Sequence, residues 1–284
     1  MARRPPLGQH FLHDEAVADR IVDALDPDDR EVLEIGPGRG VLTGRIASRA
    51  RRLTAVEIDR RLADSLTRRW PDDRVVVHRA DVLTRPLADW LEPAPAEGWL
   101  LVGNLPYAIT SPVLFALLDA EPPPDRAVFT IQKEVAERLA AGPGSRTCGI
   151  LSVLLAVQAD VELLFRVGRG AFQPPPRVDS AVLRLALLPG PRFGVGSAAG
   201  PSRRTLQVVV RTAFAQRRKM LHNSLGSLTG VDREELAAAG TESGIDLTRR
   251  PESLALEEFV ALARALEAGL DVSSPGGENG RHSS

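Results

Sequence analysis

Short apolar, β-branched runs recur through the first two thirds of the chain: EVLEIG at 31–36, RRLTAVEID at 51–59, RVVVHRAD at 74–81, WLLVGNLP at 99–106 and AVFTIQ at 127–132. Their length and β-branching mark them as strands, not buried helix segments. Between them, helical patterns fall near 41–49, 60–69, 86–91 and 109–119. Such alternation predicts βαβ units, and so a parallel sheet covered by helices on both faces. A helix near 133–140 follows, then a Gly/Pro break, AAGPGSRTCG, and another helix near 149–158. Two further strand-like runs, ADVELLFRV and SAVLRLALL, either form a hairpin or flank the sheet's edge.

The segment LLPGPRFGVGSAAGPS has no period and is rich in Gly, Pro and Ser, the composition of a linker. Beyond it the pattern is helical only, near 203–215, 217–227, 232–239 and 255–268. The expected organisation is an α/β domain over 1–190, a linker over 191–201, an all-helical domain over 202–270 and a disordered tail over 271–284.

Composition refines this outline. With 284 residues, 43% of them hydrophobic, the chain can bury a core of ordinary size and is not disordered. Its longest apolar runs are too short to span a bilayer, and the start MARRPPLGQHFL lacks the apolar stretch of a secretion signal. Cys148 is the sole cysteine; no internal disulfide is possible, which fits a cytoplasmic address. It reads as a small buried apolar residue, not a nucleophile. Net charge is −1, yet Arg203, Arg204, Arg211, Arg217, Arg218 and Lys219 lie in a stretch without an acid, and the balance turns acidic after Val231. A basic face hides inside the neutral total. These cations either bind phosphates or pair with the acidic helices that follow.

Chemistry gathers at the strand ends. The run VLEIGPGRGVLT sets Glu34, Gly36, Gly38 and Gly40 between the first strand and a helix. Glycines there let the backbone turn and approach a ligand, and the helix start offers free N–H groups. The second strand ends in Glu57, about where a ribose is gripped in such folds, and the third ends in Asp81. With Asn104, these residues stand at the carboxyl ends of successive strands, where open α/β sheets bind ligands. An adenosine ligand whose far end is a zwitterion, S-adenosylmethionine, suits E-x-G-x-G-x-G.

The stretch Asn104-Leu105-Pro106-Tyr107 looks like the (N/D)-P-P-(Y/F) motif of enzymes that methylate exocyclic or amide nitrogens. Adenine N6 is a poor nucleophile because its lone pair is delocalised into the ring. Two acceptors, the Asn104 side-chain oxygen and the Leu105 carbonyl, can take its two hydrogens and aim the lone pair at a methyl group. Pro106 holds Leu105 extended and adds no competing N–H. Tyr107 can stack on the base, and Phe172, on the proline-stiffened turn GAFQPPPRVDSAV, can cover its other face.

Together, LGQHFLHD, VLEIGPGRGVLT, TAVEIDRRL, HRADVL, NLPYAITSPVLF, FQPPPRVDSAVLRL and VVVRTAFAQRRKMLHNSL resemble the ribosomal RNA adenine dimethyltransferases, and within them the small-subunit (16S) group, from Leu7 to about Leu225. The resemblance implies a Rossmann-like, class I S-adenosylmethionine-dependent methyltransferase sheet with a smaller all-helical C-terminal domain. It implies N6,N6-dimethylation of two adjacent adenosines in a 16S rRNA hairpin during small-subunit biogenesis, by a cytoplasmic monomer. It carries the cofactor contacts onto His10, Leu12, Gly36, Gly38, Glu57, Ile58, Asp81, Val82 and Asn104, and catalysis onto Asn104, Leu105, Pro106, Tyr107 and Phe172. The chain departs from the family at His10, where Asn is usual, and at Met220 and His222, where Thr and Arg are common. Its histidines show no metal-ligand spacing, so no metal is expected. The alternatives are a 23S rRNA adenine methyltransferase of the macrolide-resistance type, a non-catalytic ribosome assembly factor, and methylation of a protein glutamine or of DNA, for which N-P-P-Y would be the closer fit.

Overall fold

A computed structural model describes residues 9–71, 73–93, 98–216 and 218–271. The tail expected to be disordered, apart from Asp271, and Arg217 of the basic cluster lie outside the described residues.

The five predicted strands form as β2 (Glu31–Ile35), β3 (Arg52–Glu57), β4 (Val75–Arg79), β5 (Leu100–Asn104) and β6 (Arg126–Gln132), after a two-residue strand β1 (Phe11–Leu12). Two strand-like runs become β7 (Ala159–Val167) and β9 (Ser180–Leu187), with a two-residue β8 (Phe172–Gln173) between them. The main sheet has seven strands in the order β4-β3-β2-β5-β6-β9-β7. Strands β2 to β6 pair in parallel, while β9 runs antiparallel to β6 and to β7. The two runs therefore do both things expected of them: they pair with each other and extend the sheet's edge. In β9 Ser180, Ala181, Val182, Leu183 and Leu185 are buried, which suits a strand covered on both faces, whereas β7 at the edge buries only Ala159 and Val167.

Helices α2 (Val41–Ala47), α3 (Arg60–Arg69), α4 (Thr110–Leu118) and α5 (Lys133–Ala141) are where the pattern placed them, whereas Leu87–Trp90 forms a tight 3₁₀ turn. One helix was absent from the pattern reading, α1 (Glu15–Leu25). Asp14 caps it by accepting from the Val17 N–H at 3.0 Å, and Ala18, Ile21, Val22 and Leu25 line its buried face. That stripe packs on Val32, Leu53, Val102, Val128 and Val182 of the sheet.

Contacts divide the chain into two compact units, but not at a single cut. The first holds 1–140 and 159–188, and the second holds 141–158 and 189–284. Helix α6 (Ile150–Gln158), expected within the α/β domain, thus belongs with α7 (Arg203–Phe214), α8 (Leu221–Leu225), α9 (Arg233–Ser243) and α10 (Leu256–Leu266). Its apolar face packs on α7 and α10. The segment read as a linker is folded into this unit: Val195 is buried, and the Gly196 N–H donates to the Pro201 carbonyl at 2.8 Å. Capping secures the helices. Ser202 caps α7 through the Thr205 N–H, and Asp232 with Glu235 forms a capping box at α9.

Candidate active site

At the carboxyl ends of β2 and β5 the strand order reverses, which is where doubly wound sheets open a crevice. Register aligns the ends: Ile35 pairs with Gly103, and Asn104 with Thr130. A Cβ at Gly103 would stand 2.9 Å from the Ile35 carbonyl, so only glycine lets β5 lie this close before it presents Asn104.

The glycine loop follows β2. Gly36, Gly38 and Gly40 all have positive φ, between 58° and 79°. The side of Gly38 is filled by the Phe11 ring, 2.9 Å from where a Cβ would be, and Arg39 stacks over that ring. Glu57, 1% exposed, turns its carboxylate back onto this loop. It accepts from the Gly38 N–H at 3.0 Å and from the Asp59 N–H at 2.9 Å. Burial raises its pKa, and the backbone donors work against that rise. Glu34 is equally buried but, among the described residues, accepts only from the Thr43 hydroxyl at 2.8 Å. Desolvation pushes its pKa up to about 8, against the Thr43 hydrogen bond, and the neighbouring Glu57 charge adds to the rise. Burial thus raises the pKa of both carboxyls at these strand ends, and more hydrogen-bond donors oppose the rise at Glu57 than at Glu34.

The N-terminal arm crosses the crevice. Phe11 and Leu12 pair antiparallel with Gln173 and Phe172, as β1 with β8. The Asn104 amide nitrogen donates to the His10 carbonyl at 2.8 Å, and His10 Nδ1 donates to the Pro174 carbonyl at 2.7 Å. A carbonyl can only accept, so the contact to His10 fixes the Asn104 amide and leaves its Oδ1 uncommitted. The Leu105 N–H donates to the Thr130 carbonyl at 3.1 Å. Among the described residues nothing donates to the Leu105 carbonyl. Tyr107 lies with its ring 6.0 Å from the His10 ring and its hydroxyl 3.3 Å from Ser180 Oγ.

These groups line one cleft, which includes His10, Gly36, Gly38, Glu57, Asn104, Leu105, Pro106, Tyr107 and Phe172. Leu12 and Glu34 line an adjoining recess that shares Gly36, Gly38 and Asn104 with it. Ile58, Asp81 and Val82 do not line that cleft. Ile58 follows Glu57 and is 49% exposed, the Asp81 carboxylate caps the next turn through the Leu83 N–H at 3.0 Å, and Val82 is buried. Three lining residues escaped the sequence reading: Gln9, Phe11 and Ser180. All three sit inside stretches already singled out, QHFL and VDSAV, but nothing short of the fold brings those stretches together. The basic residues lie in the second unit, where Arg204, Arg211, Arg218 and Lys219 are exposed. Among the described residues no group of His, Cys, Asp or Glu is arranged to hold a metal ion, and no helix is long and apolar enough to cross a membrane.

A doubly wound sheet with a glycine loop, a buried carboxylate at the end of β3 and Asn-Leu-Pro-Tyr at the switch point is the architecture of a class I, S-adenosylmethionine-dependent methyltransferase. The family profile described as ribosomal RNA adenine dimethylase matches residues 2–267, and the chain belongs to that family. A "Ribosomal RNA small subunit methyltransferase A" of Geobacter metallireducens is 44% identical over 269 residues, covering 93% of this chain and 96% of that protein. Another of the same name, from an Anaeromyxobacter species, is 46% identical over 267 residues, covering 91% and 92%. The crystal structure of a 23S rRNA methyltransferase, ErmE, superposes with a TM-score of 0.67 at 30% identity, covering 90% of this chain and 99% of that one. A dimethyladenosine transferase of Plasmodium falciparum shares the fold with a TM-score of 0.74 at 23% identity, covering 89% and 96%.

The residues present fit the cofactor of this class. Gly38 leaves no Cβ to fill the loop, and the Glu57 carboxylate keeps lone pairs beyond those its two backbone donors use.

Proposed function

We propose that this protein transfers methyl groups to N6 of two adjacent adenosines in a 16S rRNA hairpin, within the small ribosomal subunit or its precursor, as a cytoplasmic monomer. The carrying observation is the locked Asn104 amide: its nitrogen is committed to His10, so its oxygen is the acceptor offered to the cleft. The small-subunit relatives are more similar in sequence than the 23S enzyme, 44% against 30%, which favours this target over the 23S alternative.

The bound cofactor supplies an electrophilic methyl group. Glu57 would hold the ribose hydroxyls, Gly36, Gly38, His10 and Leu12 would border the part of the cofactor in the cleft and its recess, and Ile58, Asp81 and Val82, outside that cleft, would flank its remaining end. Tyr107 and Phe172 enclose the faces of an adenine taken out of its stack. Asn104 Oδ1 and the Leu105 carbonyl accept the two N6 hydrogens. Those two contacts would pyramidalise the nitrogen and aim its lone pair to where the bound cofactor would present its methyl group. The proton then leaves to water, and no strong base is required, because positioning supplies most of the effect. Arg203, Arg204, Arg211, Arg217, Arg218 and Lys219 hold rRNA phosphates, contacts that position the substrate without reading sequence.

Asn104→Ala tests the assignment. Turnover on undermethylated small-subunit particles should fall by about two to three orders of magnitude, with cofactor affinity largely kept. A fully active mutant would remove Asn104 from the chemistry.

A further inference from the structure

Ser180 opens β9 and is 2% exposed, yet it faces the cleft. Its backbone is fixed by pairing on both sides, to Gln132 of β6 and Val167 of β7. Along β9 the other buried residues, Ala181, Val182, Leu183 and Leu185, are all apolar, and Ser180 is the exception. A buried hydroxyl needs a partner, and the partner of Ser180 Oγ is the Tyr107 hydroxyl at 3.3 Å. Tyr107 itself stands on a short 3₁₀ turn, Tyr107–Ile109, a poor base for an aromatic ring that has to hold one plane.

We propose that Ser180 is a positioning residue for methyl transfer. It tethers the far end of the Tyr107 side chain to the rigid sheet and so sets the plane against which the target adenine stacks. The ring is anchored at both ends, by its Cα on the turn after β5 and by its hydroxyl on β9. The base then meets a ready-made surface, and little freedom of the ring is lost on stacking. Ser180 does not touch the reacting atoms; it acts through Tyr107. The inference rests on Tyr107 being the stacking platform.

A double-mutant cycle on the full chain tests it, with undermethylated small-subunit particles as substrate. Ser180→Ala and Tyr107→Phe each break the tether and keep the ring. Each should lower kcat/KM for the particles about three- to tenfold, the loss of one neutral hydrogen bond. The double mutant should be no worse than either single mutant, and calorimetric affinity for S-adenosylmethionine should match wild type throughout. Tyr107→Ala serves as the separate check on the platform, since it should be severely impaired. If Tyr107→Ala retains activity, the stacking role falls, and the tether with it. If Tyr107→Ala is dead but the two tether mutations multiply, or Ser180→Ala is fully active, the platform stands and the tether is wrong. A lower melting temperature for Ser180→Ala with unchanged kcat/KM would likewise overturn it, leaving Ser180 a packing residue.

Discussion

Glu34 and Glu57 stand on adjacent strands, both out of water, and differ in what reaches them. Two backbone N–H groups meet Glu57, but a single hydroxyl meets Glu34. On the proposed function, Glu57 is the carboxyl that binds the ribose, since more donors oppose its neutralisation. Glu57→Ala should weaken S-adenosylmethionine binding by about 1.5–3 kcal/mol, the range for hydrogen bonds to a charged group, and calorimetry on the folded mutant measures this directly. Glu34 makes a pH prediction. Its folded-state pKa is raised to about 8 from an ordinary 4.5, so the folded chain binds a proton that the unfolded chain releases. That contribution to stability is complete below the ordinary value and is lost as pH rises toward about 8. Glu34→Gln keeps an acceptor for Thr43 and carries no charge. Melting temperatures compared between pH 6 and 8.5, on the order of the raised value, should fall less in the mutant than in wild type. Parallel curves would mean that Glu34 does not titrate there. At this scale Glu57 and Asn104 were recognisable as candidates, because strand ends announce themselves in sequence. The contacts that lock them were not, because all are made by backbone atoms, which carry no residue-type signal: N–H groups 19 and 2 positions from Glu57, and a carbonyl 94 positions from Asn104.

The glycine loop shows how an element makes room for function. Gly36 and Gly40 share positive φ but differ in surroundings: a Cβ at Gly36 meets nothing within 4 Å, whereas one at Gly40 would stand 2.6 Å from the Trp70 ring. Gly36→Ala should therefore cost only the left-handed backbone penalty, about 1–2 kcal/mol, while its methyl intrudes on the cleft. Gly40→Ala should destabilise more, because a half-buried ring must also move. Denaturant midpoints of the two mutants check the ordering; equal losses would show that the ring yields freely. Buried parallel strands were legible because each reads as a continuous apolar run. Helix α1 precedes the first strand of the main sheet, outside the strand–helix alternation, although Asp14 and the spacing of Ala18, Ile21, Val22 and Leu25 mark it. Strands β1 and β8 have two residues each, too few for any period; long-range pairing alone creates them.

Across the whole molecule, chemistry and cation supply are divided between two units. Every cofactor and catalytic candidate lies in the first, and the basic run of α7 and its following turn lies in the second. The division could not be read as one boundary, because α6 leaves the α/β region of the sequence to pack on α7 and α10. Arg218 and Lys219 are exposed and make no ion pair with a described residue. Changing both to Ala should weaken RNA binding, with the single-strand salt slope reduced by about 0.7 for each lost contact, and leave cofactor binding intact. A lower melting temperature with an unchanged slope would instead assign these cations to holding the helices together. The central claim concerns the reaction. Small-subunit particles from a strain lacking this protein should be incubated with the purified chain and methyl-labelled S-adenosylmethionine, and the labelled nucleotides mapped. The account predicts label on N6 of two adjacent adenosines of 16S rRNA, two methyl groups on each; label confined to 23S rRNA, to DNA or to protein, or no label at all, would contradict it.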